Sequence, residues 1–467
     1  MVIIKIRFNA NNIFITMVKT KPKYDVIIIG AGVSGLLATL VLRKEGKKVL
    51  VIEKSGYLGG NCRTYEISGY HMDTGPHAIT GLLNGPLKIL MDKYFSVTPK
   101  FAPIKSYYAR WQKKLQEIPL TLLQLSYFNI LSKKDRILLA GAMMDAVANS
   151  SINKRALEKS VYDYVKNYNF SAKSIRFIDT MSYFLSGKSM KETPAWRMLG
   201  GSGYIDEGEN NNSAKSHLKK IIKFAKHNYD SQGYPLGGIQ NITSSILNSI
   251  PKNKVYFKTS EKAVKFIVKN NRIKGVQTDR ETYYGDIVVY SGFVKDLPSL
   301  TDRFSSKYKS ELKKIKQTKS ATLWLGLRNK IPEMSYLGSE VYFDTNTPYW
   351  AIPVSNFDPN LAPKNKLLIG FATVIKENDP EKQFHKLKHS IFTALPNIKN
   401  NIEFEHTQVT IPEKAAITTD VKFPSPKSPI NGLYLVGTDT DARSMGVTRA
   451  SYSVLEALRF MKQDGVI

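Results

Sequence analysis

The sequence predicts an α/β fold: a parallel sheet covered by helices, built from discontinuous chain segments and interrupted by an inserted α+β domain with a helical cap. Three observations predict it. A buried-type strand, a glycine loop and a helix open the chain at residues 24–46, a second strand ending in an acid follows at 48–53, and a strand into Gly437 with a helix from Gly446 repeats the order near the end.

The bulk numbers set the frame. At 467 residues, with a single cysteine, Cys62, and no low-complexity linker, the chain reads as one polypeptide wound through two closely packed domains. No disulfide can form within it, so a reducing, cytoplasmic setting is expected. Sixty-eight Lys and Arg face 39 Asp and Glu, a formal charge of +29. That charge admits an anionic membrane surface or nucleic acid as a partner. No zinc-finger spacing or other nucleic-acid motif accompanies it, and the lysines are spread along the chain, so no nucleic acid is expected. Peripheral membrane contact and a merely lysine-rich surface both stay open. No apolar stretch reaches the roughly 18 residues of a spanning helix. Residues 1–20 carry neither a signal peptide nor a span and are expected to be a disordered leader, with Met17 as the true start.

Residues Tyr24 to Ile29 read Y-D-V-I-I-I, the pattern of a parallel strand buried on both faces. They meet Gly30-Ala31-Gly32-Val33-Ser34-Gly35 and then leucines at helical spacing until Gly46 offers a C-cap. In this setting Gly30 permits a tight turn, Gly32 lets backbone approach a pyrophosphate, and Gly35 lets helix pack on strand. Val33 and Ser34 start the helix, whose unpaired N–H groups face phosphates. The second strand ends in Glu53, placed to accept hydrogen bonds from an adenosine ribose, with Lys54 beside it. The reading is a Rossmann-like dinucleotide site, with FAD and NAD still equal alternatives.

Gly59-Gly60-Asn61-Cys62-Arg63 follows, then a strand-like segment and Asp73-Thr74-Gly75-Pro76-His77. The paired glycines remove side chains where backbone must approach a ligand, and Arg63 supplies a fixed cation suited to a pyrophosphate. Cys62 reads as a small filler, since nothing nearby could act as its base. Together Y-D-V-I-I-I-G-A-G-V-S-G, E-K-S-G-Y-L-G-G-N-C-R-T and D-T-G-P-H resemble the N-terminal signature of the flavin amine oxidase superfamily, within it the phytoene desaturase and carotenoid isomerase-like branch. The resemblance implies FAD, with Glu53 on the ribose and Gly59, Gly60, Arg63, Gly75, Pro76 and His77 toward the pyrophosphate and flavin. It also implies that the backbone at Val264 meets the adenine.

From Tyr107 the chain is extended, breaks at Pro119, and continues with apolar groups at helical spacing bordered by Lys133, Lys134 and Arg136. That is how an interfacial helix looks, and also how core helices with a basic outer face look. Residues 180–203 mix Met181, Tyr183, Phe184, Leu185, Met190, Trp196 and Met198 with glycines, which suits either an apolar substrate lining or a core. A polar, basic loop is expected at 206–228. Gly233-Tyr234-Pro235 and the following Gly237-Gly238 resemble a re-entry segment of the desaturases, and hairpin strands follow around Asn270-Asn271. Three apolar strands are expected between 320 and 374, with Tyr349 and Trp350 facing substrate or core.

At the end, Gly437, Thr438 and Asp439 follow a strand, and Gly446 and Val447 open a helix. Its N–H groups would favour the electron-rich end of a reduced flavin. The family's acid usually follows the first glycine directly; here Thr438 stands there and Asp439 comes next. The expected division is 21–100, 231–300 and 416–467 for the FAD-binding domain, with 101–230 as substrate domain and cap and 301–415 as substrate-domain sheet.

No catalytic side chain and no metal site is assigned. His385 and His389 lie four apart on a helix among lysines, a solvated face. The expected function is FAD-dependent dehydrogenation or isomerisation of an apolar isoprenoid or polyene, with a quinone, oxygen or a redox protein taking the electrons. Alternatives are a protoporphyrinogen oxidase-like enzyme, a flavin amine oxidase, and a non-catalytic flavin- or nucleic-acid-binding protein.

Overall fold

The computed structural model describes residues 2–9, 12–19, 23–75, 78–119, 121–152, 154–201, 232–376 and 379–467. Its first seven-stranded sheet is assembled from three separate parts of the chain. β3 (Lys23–Ile29) and β4 (Val49–Ile52) come first, then β11 (Val255–Lys258), β12 (Ala263–Lys269), β13 (Arg272–Thr278) and β14 (Thr282–Tyr290), and last β20 (Leu433–Leu435). The order is β11-β4-β3-β14-β13-β12, with β20 paired to β14. β11, β4, β3, β14 and β20 run parallel, while β12 and β13 form an antiparallel extension. Asn270 and Asn271 turn that hairpin with φ of +50° and +53°, a left-handed pair that asparagine tolerates.

The continuous apolar runs are explained by helices on both faces. Val26 and Ile28 point into one core with α1 (Val33–Lys44), α2 (Pro86–Tyr94), the helix Gln240–Ser249 and the C-terminal helix Gly446–Gln463. Ile27 and Ile29 point into another with Leu297, Leu300, Phe304 and Leu312. In α1, Leu36, Leu37 and Leu40 are fully buried, each contributing about 1.5–3 kcal/mol.

The second sheet is ordered β19-β15-β18-β17-β16-β8-β9. Its members are β8 (Ser106–Trp111), β9 (Lys114–Glu117), β15 (Ser320–Leu327), β16 (Gly338–Tyr342), β17 (Tyr349–Ile352), β18 (Leu367–Val374) and β19 (Ile402–Thr410). The helix Pro380–Ala394 covers one face through Leu387 and Ile391. A cap formed by Leu122–Ser126, Lys133–Ile152, Val161–Val165, Ala172–Ser186 and Ala195–Gly201 lies over the β8 end, where Leu125, Phe128 and Phe177 pack on Val341 and Phe343.

Some boundaries differ from the sequence expectation. The leader expected to be disordered carries β1 (Val2–Asn9) and β2 (Asn12–Lys19), paired with each other as an antiparallel hairpin. Both are rich in β-branched and aromatic residues, a strand preference that the missing long apolar run did not cancel. The stretch from Ser106 to Glu117 belongs to the second sheet, because β8 pairs in parallel with β16. Residues 297–315 pack on the first sheet, so the border placed at 300 lies too early. The basic loop at 206–228 lies outside the described residues.

Candidate functional site

The three glycines of the opening loop differ in what surrounds them. Gly30 has φ +94°, and a Cβ there would stand 3.0 Å from the Ser291 carbonyl oxygen. A Cβ on Gly35 would fall 1.9 Å from the Gly30 carbonyl oxygen, which no side chain survives. Gly32 is different: its φ of −71° and ψ of 177° suit any residue, and a Cβ would meet nothing within 4 Å. Gly32 is also the N-cap of α1 and supplies no side-chain cap, so the first-turn N–H groups, beginning with Val33, Ser34 and Gly35, lack a cap from that residue. Gly59 donates its N–H to the Ala31 carbonyl at 2.8 Å and bridges Gly32, while Gly60, at φ +59°, lies against Gly32. Two glycine segments thus meet at one open helix N-terminus.

At the end of β4, Glu53 is buried and accepts from the Ala31 N–H at 2.7 Å and from the Ser55 N–H at 2.8 Å. Lys54 is exposed. The Glu53 carbonyl accepts from the Glu261 N–H, which brings the start of β12 alongside. There Ala263 pairs Thr278 and Lys265 pairs Gln277, so Val264 sits in a β-bulge with no ladder partner. Arg63 is exposed, its guanidinium 4.3 Å from the Tyr57 ring. Burial pushes the Cys62 thiol up to about 12, which keeps it protonated and inert near neutral pH.

Asp73 links this region to the re-entry segment. Its carboxylate accepts from Thr64 Oγ1 and Tyr234 OH, each at 2.6 Å, and from the Ile239 N–H at 2.9 Å. Gly75 donates its N–H to Gln408 at 3.0 Å. Pro76 and His77 lie outside the described residues.

At the far end, Gly437 donates to Ser453 Oγ, and a Cβ on it would be 2.6 Å from Lys414 Nζ. Thr438 Oγ1 accepts from the Lys414 N–H at 2.9 Å. Asp439 is buried; one carboxylate oxygen accepts from the Val294 N–H at 2.7 Å, and the other has no partner among the described residues. Burial raises its pKa, with Lys414 opposing. Burial likewise lowers the Lys414 pKa, against the pull of Asp439 and Glu53, while Nζ donates to the Ser291 and Gly292 carbonyls. Gly446 has φ +55° and open space where a Cβ would be, and its N–H donates to Glu413, which also pairs with the buried Arg449. Val447 is buried behind it.

The sequence missed Lys414, Glu413 and Ser291. Ser291 is buried while Glu413 and Lys414 are half-buried, and what marks all three is contact with the two glycine segments, which spacing along the chain does not show.

Two cavities reach this end of the site. One, of about 220 Å³, starts at Ala78, Thr80 and Met445 and runs beneath the cap between Leu125, Phe128, Met143, Phe177 and Met181. The other, of about 190 Å³, starts at Gly75, Glu413 and Gly446 and runs along β15, β17 and β18. Phe184 and Trp350, packed edge to face at 4.6 Å, line both. The cavities share Ala78 and Met445, so both open toward the Gly446 helix terminus. Tyr349 borders the second cavity, with its OH donating to Glu340 at 3.0 Å. Among the described residues no group of three or more His, Cys, Asp and Glu could hold a metal.

The residues fit a long anionic dinucleotide. Gly32 leaves open space at a helix N-terminus without a side-chain cap, Gly446 leaves open space at a second whose first N–H is held by Glu413, and Asp439 keeps an unpartnered buried oxygen between them in the chain.

A model of the NAD(P)-binding Rossmann-like domain matches residues 28–94. The chain is 46% identical over 97 residues to an uncharacterized protein in the nifH2 3′ region of Methanothermococcus thermolithotrophicus, covering 21% of this chain and 93% of that one. It is 25% identical over 339 residues to a Flavobacterium sp. 1-hydroxycarotenoid 3,4-desaturase, covering 66% of this chain and 64% of the desaturase, a little under two thirds of its length. An oxidoreductase structure from Methanosarcina mazei superposes with a TM-score of 0.76 at 18% identity, covering 93% of this chain and 99% of the other.

Proposed function

We propose, from the premise that this chain belongs to the FAD-dependent flavin amine oxidase superfamily, that it dehydrogenates or isomerises an isoprenoid or polyene chain. The observation that carries this reading is the cavity beneath the cap, which is lined mainly by apolar side chains and ends at Met445, the residue before the C-terminal helix. When bound, FAD supplies a two-electron acceptor for a hydride.

Each part of the chain has a task in this scheme. The Gly30–Gly35 loop and α1 would hold the pyrophosphate, Glu53 and the Val264 backbone would hold the adenosine end, and the helix from Gly446 would lie toward the flavin. Leu125, Phe128, Met143, Phe177 and Met181 exclude water and fix the substrate chain by shape. Glu340 borders this cavity, but its carboxylate is held by Arg110, Tyr336 and Tyr349, at 3.0 Å from each tyrosine OH. A carboxylate so engaged is a poor base, so the proton lost with the hydride in a dehydrogenation would leave to the flavin or to solvent and not to Glu340.

The cap also carries the membrane part of the proposal. Leu123, Ile137 and Met144 are exposed on the same two helices that line the cavity, and Tyr127 directly after the first of them, with Lys133, Lys134 and Arg136 nearby in the chain. Apolar groups beside a basic border suit peripheral seating on an anionic bilayer. Among the described residues no helix is long and apolar enough to cross a membrane.

The test is anaerobic bleaching of the bound flavin with polyenes, porphyrinogens and amines in parallel. Bleaching by a polyene or isoprenoid is expected; bleaching by a porphyrinogen or amine alone overturns the reading.

A further inference from the structure

The second cavity has a mouth of its own. Pro348, Thr373, Val374 and Lys376 line both the cavity and an open basin outside it. That basin is bordered by Arg176, Lys376, His385, Lys386 and His389. The two histidines that read as a plain solvated face are therefore turned toward the entrance of an interior space.

The nearby carboxylates leave the entrance basic. Asp344 is 3.9 Å from Arg176, a loose pair, and Asp179 accepts the Met190 N–H and acts on Lys376 through its charge, so the two carboxylates stand against the cations of Arg176, Lys376 and Lys386. Lys376 Nζ stands 4.2 Å from the Tyr183 ring centre, and no ion pair to it occurs among the described residues.

The inside of this passage differs from the one beneath the cap. Thr180, Thr318, Ser320, Thr322, Thr373 and Thr410 line it beside Trp350. Thr322 is fully buried, yet its Oγ1 has no hydrogen-bond partner among the described residues, and neither does Trp350 Nε1. Buried donors of this kind mark where a ligand atom or water completes the set. The span is short. Val374 and Thr410 both pair with Ser320 from opposite sides, so the Lys376 edge and the Glu413 edge are two strand spacings apart, on the order of 10 Å.

We propose that this second passage takes an amphipathic substrate by its anionic head group, a carboxylate or phosphate held at the mouth by Lys376, Arg176 and His389, with the chain reaching past Thr322 and Trp350 toward Gly446. The inference rests on the flavin-oxidoreductase reading above and adds a second substrate class, an acidic lipid, beside the neutral chain that fits the cavity beneath the cap.

The test is a fluorescence titration of the holoenzyme with cis-parinaric acid and with its methyl ester, followed by competition with geranyl phosphate and with geraniol. The acid should bind about tenfold tighter than the ester, and geranyl phosphate should displace it better than geraniol. Whichever anion binds more tightly identifies the head group. Lys376→Glu and Arg176→Glu should abolish the preference while leaving the flavin spectrum and the ester affinity unchanged. Equal binding of acid and ester by the unsubstituted holoenzyme overturns the proposal without any variant, as does a preference that survives both substitutions. Failure here is separable from failure of the wider reading: neutral polyenes that bleach the flavin while the acid shows no advantage sink only the head-group site. An acid that binds at Lys376 without any polyene bleaching the flavin sinks the redox reading and leaves the site standing.

Discussion

Replacing Gly32 with alanine separates cofactor binding from folding at one atom. The backbone at Gly32 lies in a region open to every residue, and the added methyl meets no protein atom within 4 Å. For the cofactor-free protein, two small effects of opposite sign remain: reduced freedom of the unfolded chain, and a slightly poorer N-cap. Their sum lies within about 1 kcal/mol. In the proposed placement of FAD, the methyl would stand where the pyrophosphate approaches the helix N-terminus. Losing two charge-assisted hydrogen bonds, at about 1.5–3 kcal/mol each, weakens binding by about 3–6 kcal/mol, or roughly 10² to 10⁴-fold. The assay is titration of the apoprotein with FAD by flavin fluorescence, paired with thermal melts with and without FAD. Unsubstituted protein at a hundredfold excess over Kd gains about 2.7 kcal/mol from the cofactor, and G32A should lose that gain. Gly35→Ala is the control: its methyl would fall 1.9 Å from the Gly30 carbonyl oxygen, so the apoprotein itself should melt early. Unchanged FAD affinity in G32A, or an apoprotein as damaged as that of G35A, refutes the assignment.

Four further outcomes follow from the same structure. Glu340→Ala strands the buried Arg110 guanidinium and should cost about 3–5 kcal/mol in chemical denaturation, whereas replacing both partners with apolar residues should cost far less. Asp135 is buried, which opposes ionisation, but hydrogen bonds from Ser171 and Ser132 win and hold its pKa below the usual carboxylate value. Its contribution is therefore present above the unfolded pKa and lost as pH falls through the lower folded one, so Asp135→Asn should flatten stability below about pH 4 in acid titrations. Cys62, with its thiol raised to about 12, should resist thiol reagents at pH 7.5 until the protein is unfolded; rapid native labelling would contradict its buried placement. Binding to anionic liposomes at low salt should weaken on Leu123→Ser with Ile137→Ser, and unchanged co-sedimentation would remove the cap from the membrane surface.

What the sequence disclosed depended on how local each signal was. The strand, glycine loop and helix at 24–46 were legible because turn, helix cap and apolar run lie within 25 residues and each restricts the others. The hairpin at Asn270 and Asn271 was legible for the same reason. The extended start at Tyr107 was legible, but its place in the second sheet was not, because Ser106 to Arg110 pair with Gly338 to Tyr342, more than 200 residues away. Val264 shows the middle case: a strand was expected there, but only the mismatched register of Ala263 and Lys265 reveals the bulge that frees its backbone. Lys414 and Glu413 carried no pattern at all, since a half-buried lysine and a surface lysine look alike in a sequence with 68 basic residues.

The three-part construction of the first sheet bears on the order in which the protein can be made. β20 joins β14 through residues 433–435, the helix Gly446–Gln463 packs on α1, and Lys414 closes behind Ser291. A chain emerging from the ribosome amino terminus first therefore exposes its glycine loop early but lacks the wall behind it until residues 433–463 have been synthesised. FAD capture then waits for that segment, and deletion of residues 433–463 should release a flavin-free, aggregation-prone chain even though the glycine loop itself is intact.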